Sequence, residues 1–363
     1  MKRITLLLLS FSLFSILVSL AETKNEQLKE AMFYNKLEGK KVACQLCPRY
    51  CIIAKGKRGF CRNRENRDGK LYSIVYGKPC SIGKEPIEKA PFYHLLPGSE
   101  RITLATVGCN QRCKYCQNWE ISQSALEDQR YYDALPEDIV AIAKKNKVKI
   151  ICFTYTEPTV FYEYMYDIAK LARPEGIKTC VVSGGFINPQ PLKELCKVVD
   201  AIKIDLKGFD EKFYEDICGS ELQPVLEACK TVKETGTHLE IVNLVVPTLN
   251  DDTSKIRQMC VWIKENLGDD VPLHFTRFGP AYKLTNLPPT PISSLENAIK
   301  VAHEVGLKYV YIGNVPGHDA NNTYCPKCKK LLIKRIGYSV TENNIKNGKC
   351  RFCGEKIPGI WTL

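Results

Sequence analysis

No segment of 20–50 residues repeats along this chain of 363 residues, which excludes solenoids, propellers and other stacked-repeat architectures. Charge of one sign is also scarcer than it first looks. The formal balance is +12 with every cysteine counted neutral. Two four-thiolate ion sites would each carry about −2 and a three-cysteine iron–sulfur cube about −1, which leaves roughly +7. That excess is too small for this length to argue for nucleic acid. Charged residues make up 25% against 44% hydrophobic, so wholesale disorder is excluded and a large core is possible. Cysteine is what the chain has in plenty. Eighteen of them exceed the usage of an ordinary soluble enzyme yet fall short of a disulfide miniprotein. At roughly 100–200 residues per domain, the length allows one large domain with appendages or two ordinary ones.

Met1–Leu20 begins with Lys2 and Arg3 and continues as an apolar run to Ala21. Ser19 and Ala21 stand three and one before Glu22, the pattern of a signal-peptidase site after Ala21. A run of about 18 residues also suits an uncleaved anchor, with membrane association through residues 4–21. Residues 1–21 are therefore set apart from the fold as signal peptide or anchor.

Cysteine spacing divides the remainder. Residues 22–100 form a cysteine-rich N-terminal region, 101–319 a central core and 320–363 a tail. Seven short, apolar, β-branched runs cross the core: Ile102–Val107, Lys149–Thr154, Ile177–Val182, Ala201–Ile204, Leu239–Val246, Leu273–Thr276 and Tyr309–Ile312. Parallel strands buried on both faces read this way. Six helical patterns lie between them, at Glu137–Lys145, Val160–Ala172, Pro191–Val198, Val225–Glu234, Ser254–Asn266 and Ser293–Val305. The alternation predicts the α/β class and a partial (β/α)6 TIM-like barrel, with a doubly wound open sheet as the alternative. In a barrel the active residues follow the strands' C-terminal ends. Those positions hold Cys109, then Thr156 and Glu157, then Ser183, Gly184 and Gly185, then Asp205 and Lys207. Asn243 lies within the fifth strand, His274 and Arg277 flank the sixth, and Gly313-Asn314 follows the seventh. Polar groups gathered on one rim mark a catalytic face.

The loop after the first strand reads GCNQRCKYCQN and places Cys109, Cys113 and Cys116 in a C-x3-C-x2-C pattern. Three thiolates on one loop suit a [4Fe–4S] cube, since each reaches a different corner. The missing fourth thiolate leaves one iron free for a substrate or cofactor, as a catalytic zinc keeps an open position. A three-cysteine zinc site or unpaired buried cysteines are the other readings.

With Tyr115 before its third cysteine, this loop resembles the signature of the radical S-adenosylmethionine superfamily, C-x3-C-x-aromatic-C. The resemblance implies that the amino and carboxylate groups of S-adenosylmethionine bind the open iron. An electron from the reduced cluster then yields methionine and a 5′-deoxyadenosyl radical, while the protein orients the reactants. It further implies that Glu157, within TYTEP at Thr154–Pro158, faces the methionine amine. Tyr155 and Thr156 stand where activating-enzyme-like members carry two glycines. Ser183 and Gly184 take the ribose side, Lys207 of the Asp205-Leu206-Lys207 segment faces the methionine carboxylate, His274 faces the ribose, and Tyr115 lies against the adenine. Read without the resemblance, Asp205 and Lys207 make a solvated strand end, His274 a hydrogen-bonded rim histidine, and Gly184 a tight turn.

AMFYNKLEGKKVACQLCPRYC, KRGFCRNRENRDGKLYSIVYGKPCS, PIEKAPFYHLLPGS, RFGPAYKLTNLPPTP and NTYCPKC extend the likeness over about residues 31–361. Together they resemble the AmmeMemoRadiSam system radical SAM enzyme family, relatives of pyruvate formate-lyase activating enzyme. The family implies Memo-like and AMMECR-like companion proteins as partners, together with a low-potential electron donor. It implies hydrogen abstraction from a substrate it does not identify, a partner protein being one candidate.

Cys325-x2-Cys328 and Cys350-x2-Cys353 form two knuckles of the zinc-ribbon type, expected to hold zinc or a rubredoxin-like iron. Cys44-x2-Cys47-x3-Cys51-x9-Cys61 is expected to be a further four-thiolate site, for zinc or an auxiliary cluster, with free thiols or disulfides as alternatives. Lysines and arginines around the tail read as solvation of a tiny domain, so a nucleic-acid partner is not expected. Cys80, Cys152, Cys180, Cys196, Cys218, Cys229 and Cys260 read as core packing.

A metal-bearing electron-transfer or nucleic-acid-binding protein without radical chemistry is the rival from another class. A radical enzyme acting on RNA is a third. Three rather than four central cysteines favour the radical enzyme. Export sits badly with oxygen-sensitive, low-potential chemistry, which favours a reducing, cytoplasmic-like or anaerobic setting. No twin-arginine pair precedes the apolar run. The compartment is left open on sequence alone.

Overall fold

A computed structural model describes residues 28–363. The expected signal peptide or anchor at 1–21 lies outside the described residues. No described helix is long and apolar enough to cross a membrane.

The main sheet has eight strands. Ser81–Pro86 pairs antiparallel with Glu100–Ala105. From there the sheet runs in parallel through Ile150–Phe153, Lys178–Ser183, Ala201–Asp205, His238–Val245, Leu273–Arg277 and Val310–Gly313. Spatial order equals chain order throughout. A doubly wound sheet must reverse its strand order part-way, so that alternative is excluded. The edge strands Ser81–Pro86 and Val310–Gly313 do not pair with each other. The sheet is therefore open, consistent with a partial TIM-like fold.

The strands form where the sequence is apolar on both faces, and Ile150–Phe153 is buried at every position. The longer crossover helices are Pro136–Lys145, Tyr162–Ala172, Pro189–Cys196, Leu222–Glu234, Thr253–Leu267 and Ile292–Val305, within a few residues of the predicted patterns. Their starts carry ordinary signals. Pro136 occupies the first turn of its helix, and the Asp252 carboxylate accepts from the Ser254 and Lys255 amides. Ser81–Pro86 is the unpredicted strand. It carries a glycine and ends in proline, chemistry that an edge position tolerates and a central one does not.

Two small antiparallel sheets precede the core. One joins Lys29–Glu30, Lys70–Ser73 and Arg64–Arg67, and the other Tyr34–Lys36, Val42–Cys44 and Ile52–Ile53. Their buried residues, among them Val42, Leu46 and Leu71, share one apolar cluster with Val107, Phe161 and Tyr162 of the core. The tail builds a hairpin from Leu331–Ile336 and Ser339–Asn343. Its Leu332 and Ile333 pack with Tyr93, Tyr309 and Tyr311.

Candidate active site and metal centres

The cysteine loop leaves the first parallel strand at Ala105 and is clamped from two sides. On one side stands the N-terminal region. Asn63 donates to the Val107 carbonyl at 2.5 Å and Arg49 to the Asn110 carbonyl at 3.0 Å. Gly108 has φ 91°, and a Cβ there would stand 2.7–2.8 Å from the Asn63 side chain and the Cys61 carbonyl oxygen. Only glycine fits both the conformation and the space. On the other side lies the short π-helix Tyr214–Cys218, whose Cys218 and Ile217 carbonyls accept from the Arg112 and Lys114 amides at 2.8 and 2.9 Å.

Cys113 is buried, and Cys109 and Cys116 are half-buried. Burial pushes the Cys109 and Cys116 thiols above their usual range. Cys113 is raised first by a hydrogen bond with the Cys218 thiol and then by burial. From sequence alone Cys218 reads as core packing. It is fully buried, yet it borders the central triad, with its sulfur 3.5 Å from the Tyr115 hydroxyl. No spacing signal could have found it, since about a hundred residues separate it from the loop. Tyr115 is buried, and its ring lies 6.4 Å from Phe213 at 27°.

Glu157 is buried and ties the second and third strand ends together. Its carboxylate accepts from the Thr159 amide at 3.1 Å, the Thr159 hydroxyl at 2.7 Å, the Ser183 hydroxyl at 2.7 Å and the Gly184 amide at 2.8 Å. A Cβ on Gly184 would stand 2.1 Å from Gln111 Oε1, so this glycine lets the third strand end meet the cysteine loop. Gln111 in turn donates to Ser220 at 2.8 Å. Lys207 Nζ lies 3.4 Å from Asp205 Oδ2. Burial opposes the Lys207 charge, but Asp205, then Cys113 and Cys218, outweigh it and hold the ammonium well above its usual range. Asn243 and Asn250 brace this strand end, donating to the Leu206 and Lys207 carbonyls at 2.8 and 2.7 Å.

His274 does not join this group. It is the second residue of its strand, and its Nε2 lies 2.7 Å from Glu240 Oε2. Its ring sits 4.8 Å from Tyr93 and 5.0 Å from Tyr311. An inward position early in the strand directs it to the segment that closes the strands' N-terminal ends. The ribose-facing expectation for His274 is corrected accordingly.

The tail cysteines make a compact set. All four sulfurs of Cys325, Cys328, Cys350 and Cys353 lie within 4.8 Å of one another, with Cys325 and Cys353 3.6 Å apart and Cys328 and Cys350 3.8 Å apart. Bonds of about 2.3 Å to one tetrahedral ion give sulfur–sulfur edges of about 3.8 Å. A single-ion, four-thiolate site is present there. Cys44, Cys47, Cys51 and Cys61 instead line one enclosed cavity beside Asn110 and Arg64.

The family model of the radical SAM superfamily matches residues 103–260. Over 332 residues the chain is 48% identical to an uncharacterized protein of Methanocaldococcus jannaschii, spanning 91% of this chain and 99% of that one. It is 26% identical over 171 residues to the pyruvate formate-lyase-activating enzyme of Clostridium pasteurianum, 43% of this chain and 66% of that one. With the pyruvate formate-lyase 1-activating enzyme of Escherichia coli (strain K12) the identity is 22% over 229 residues, 59% of this chain and 93% of the other. The three-cysteine loop at a strand's C-terminal end and these likenesses agree, and the chain belongs to the radical SAM superfamily, as a relative of the pyruvate formate-lyase activating enzymes.

Proposed function

We propose that this chain is an activating-enzyme-like radical SAM enzyme that draws hydrogen from a partner protein. One observation carries the reading. Three thiols of one loop, the Lys207–Asp205 pair and the Glu157–Ser183–Gly184 turn converge at the C-terminal ends of the first four parallel strands.

The donor set fits a [4Fe–4S] cluster and S-adenosylmethionine. The loop offers three thiols and no fourth, and the buried Asn243 Oδ1 beside Leu206 has no partner among the described residues. The chemistry such a pair supplies when bound is reductive cleavage to methionine and a 5′-deoxyadenosyl radical. Cys109, Cys113 and Cys116 would hold three irons. Lys207 presents a fixed positive charge for a carboxylate, kept in place by Asp205 and by the Asn250 bond to its own carbonyl. Glu157 positions Ser183 and Gly184, and its Oε2, with one donor, keeps acceptor capacity for an ammonium.

The relatives named for activating pyruvate formate-lyase support a protein substrate. The residue stretches resembling AmmeMemoRadiSam system enzymes support Memo-like and AMMECR-like proteins as companions. A low-potential carrier supplies the electron, in a reducing or anaerobic setting. The tail site holds zinc in a ribbon-like fold, a structural role that a closed four-thiolate tetrahedron favours.

The test is 5′-deoxyadenosine release by the anaerobically reconstituted, reduced protein given S-adenosylmethionine. Release that Cys113→Ala abolishes is the expected result. No release from a protein with an intact central cluster and its candidate partners present would return the chain to electron transfer or binding.

A further inference from the structure

The N-terminal cysteines are left over by the function proposed above, and their surroundings are specific. Cys44 ends the strand Val42–Cys44, Cys47 and Cys51 lie in the turn after it, and Cys61 precedes Arg64–Arg67 of the other small sheet. Two separate sheets therefore send four thiols to one enclosed cavity. None of the four is in a disulfide.

Donors already point at the sulfurs. Arg64 Nη1 lies 3.3 Å from Cys44 Sγ, and the Phe60 amide 3.5 Å from Cys51 Sγ. Arg64 is 1% exposed. It is paired with the equally buried Glu163, which also accepts from the Met32 amide. Among the described residues its Nε has no partner, nor has Asn110 Oδ1 on the cavity's cysteine-loop side. Glu163 balances the guanidinium charge, and the Arg64 N–H aimed at Cys44 makes a stronger hydrogen bond when that sulfur is a metal-bound thiolate than when it is a neutral thiol.

Spacing separates a cluster from a single ion. Among the described residues, the tail set is the group of three or more ligating side chains that gathers within 4.8 Å. The central triad, whose motif suits a cube, does not gather so closely, and neither do these four. One tetrahedral ion pulls its sulfurs to about 3.8 Å, whereas a cube holds each thiolate on a different corner.

We propose that Cys44, Cys47, Cys51 and Cys61 bind a second iron–sulfur cluster of the [4Fe–4S] type. All four irons are ligated by the protein, and the cluster is wedged against the loop that carries Cys109. Arg64 and the Phe60 amide donate to its sulfurs. The Cys61 carbonyl abuts Gly108, one residue from Cys109, so the two centres share a wall.

The test counts metal and sulfide in the anaerobically prepared full chain, independent of turnover. Wild type should carry about eight irons and eight sulfides besides the tail ion, and a Cys109→Ala/Cys113→Ala/Cys116→Ala variant about four of each. Adding Cys47→Ala and Cys51→Ala to that variant should remove the rest. In reduced wild type, S-adenosylmethionine should change one electron paramagnetic resonance signal and leave a second unchanged. Wild type with about four irons and two zinc ions would overturn the proposal, even where the triple variant fails to fold. A folded triple variant without acid-labile sulfide would overturn it as well. The iron and sulfide counts leave the proposed radical chemistry untouched whichever way they fall, whereas two signals that both ignore S-adenosylmethionine would count against that chemistry and not against the second cluster.

Discussion

The two ends of the main sheet both carry buried charge and use it differently. At the C-terminal ends Glu157, Lys207 and Asp205 sit on strand-end turns, and the Lys207 ammonium has one carboxylate partner 3.4 Å away. At the N-terminal ends Glu240 accepts from the Tyr93 amide at 3.0 Å, the His94 amide at 2.8 Å, His238 at 3.1 Å and His274 at 2.7 Å. Burial would raise the Glu240 carboxyl, but His238 and His274 outweigh it and hold it well below its usual range. Arg335 reaches in from the tail, stacks 3.9 Å from the Tyr93 ring and donates to the Tyr93 carbonyl at 2.9 Å and the Asn321 carbonyl at 3.0 Å. One end locks segment 87–96 and the tail onto the sheet through Glu240 and Arg335. The other sets its charges beside a cysteine loop. Both keep buried polar atoms without partners among the described residues, His274 Nδ1 and Glu88 Oε2 at one and Asn243 Oδ1 at the other. Neither buried charge nor an unpartnered atom marks a site alone; the company of three thiols does.

Substitutions at the two ends should separate accordingly. The largest effect belongs to Cys113→Ala, which should abolish 5′-deoxyadenosine formation while circular dichroism stays that of the wild type. Glu240→Ala comes next. It leaves His238, His274 and the buried Tyr93 and His94 amides without their carboxylate and should cost about 3–5 kcal/mol of stability, read from the urea midpoint. Cofactor cleavage per folded molecule should survive. A Glu240→Ala protein of normal stability that no longer cleaves the cofactor would erase the distinction between the ends. Lys207→Ala should weaken S-adenosylmethionine binding by about tenfold or more, the range of a charge-assisted bond, with central iron unchanged. An unaltered binding curve would make that lysine a support for Asp205 alone. Cys328→Ser should release about one metal ion and loosen the tail, since a structural ion contributes directly to folding. Retained tail metal would show that three thiolates suffice.

Much of the fold was legible because its signals are local. Apolar β-branched runs and 3.6-residue periodicity lie in consecutive residues, and the seven parallel strands sit close to their predicted places. The edge strand Ser81–Pro86 was illegible, since an edge tolerates the glycine and proline that argue against a strand. The central triad was legible for the same local reason, three thiols within eight residues. His274 was misread because its role depends on which end of its strand it occupies, a matter of register with Glu240 on the neighbouring strand. Cys218 and Asn63 reach the cysteine loop, and Ser220 reaches its Gln111, through contacts between distant segments, and no pattern in the chain records those. The difference between the compact tail thiols and the wider N-terminal set is likewise one of spacing in three dimensions.

The smallest expected effect is a pH dependence at the closed end. His94 is fully buried, with Nδ1 2.6 Å from the Pro358 carbonyl and Nε2 2.7 Å from the Tyr311 hydroxyl, and its ring 5.2 Å from Trp361. Burial drives its pKa down to about 3, against an opposing pull from Glu240, with His238 and Arg335 adding to the decrease. The folded value lies below the unfolded one, about 6.5. Its contribution to stability is therefore complete above pH 6.5 and is lost progressively as pH falls toward 3. Between pH 6.5 and 5 the loss should approach about 2 kcal/mol, at about 1.4 kcal/mol per pH unit. Glu88, raised to about 7 by burial despite Arg335, works in the opposite sense, because its protonation favours the folded state as pH falls. The decisive quantity is therefore the difference between wild type and His94→Gln, in which only the histidine's share disappears. A shallower slope of urea midpoint against pH in the variant is expected. Parallel slopes would mean that the tail leaves the sheet, or the ring finds water, before the imidazole takes its proton.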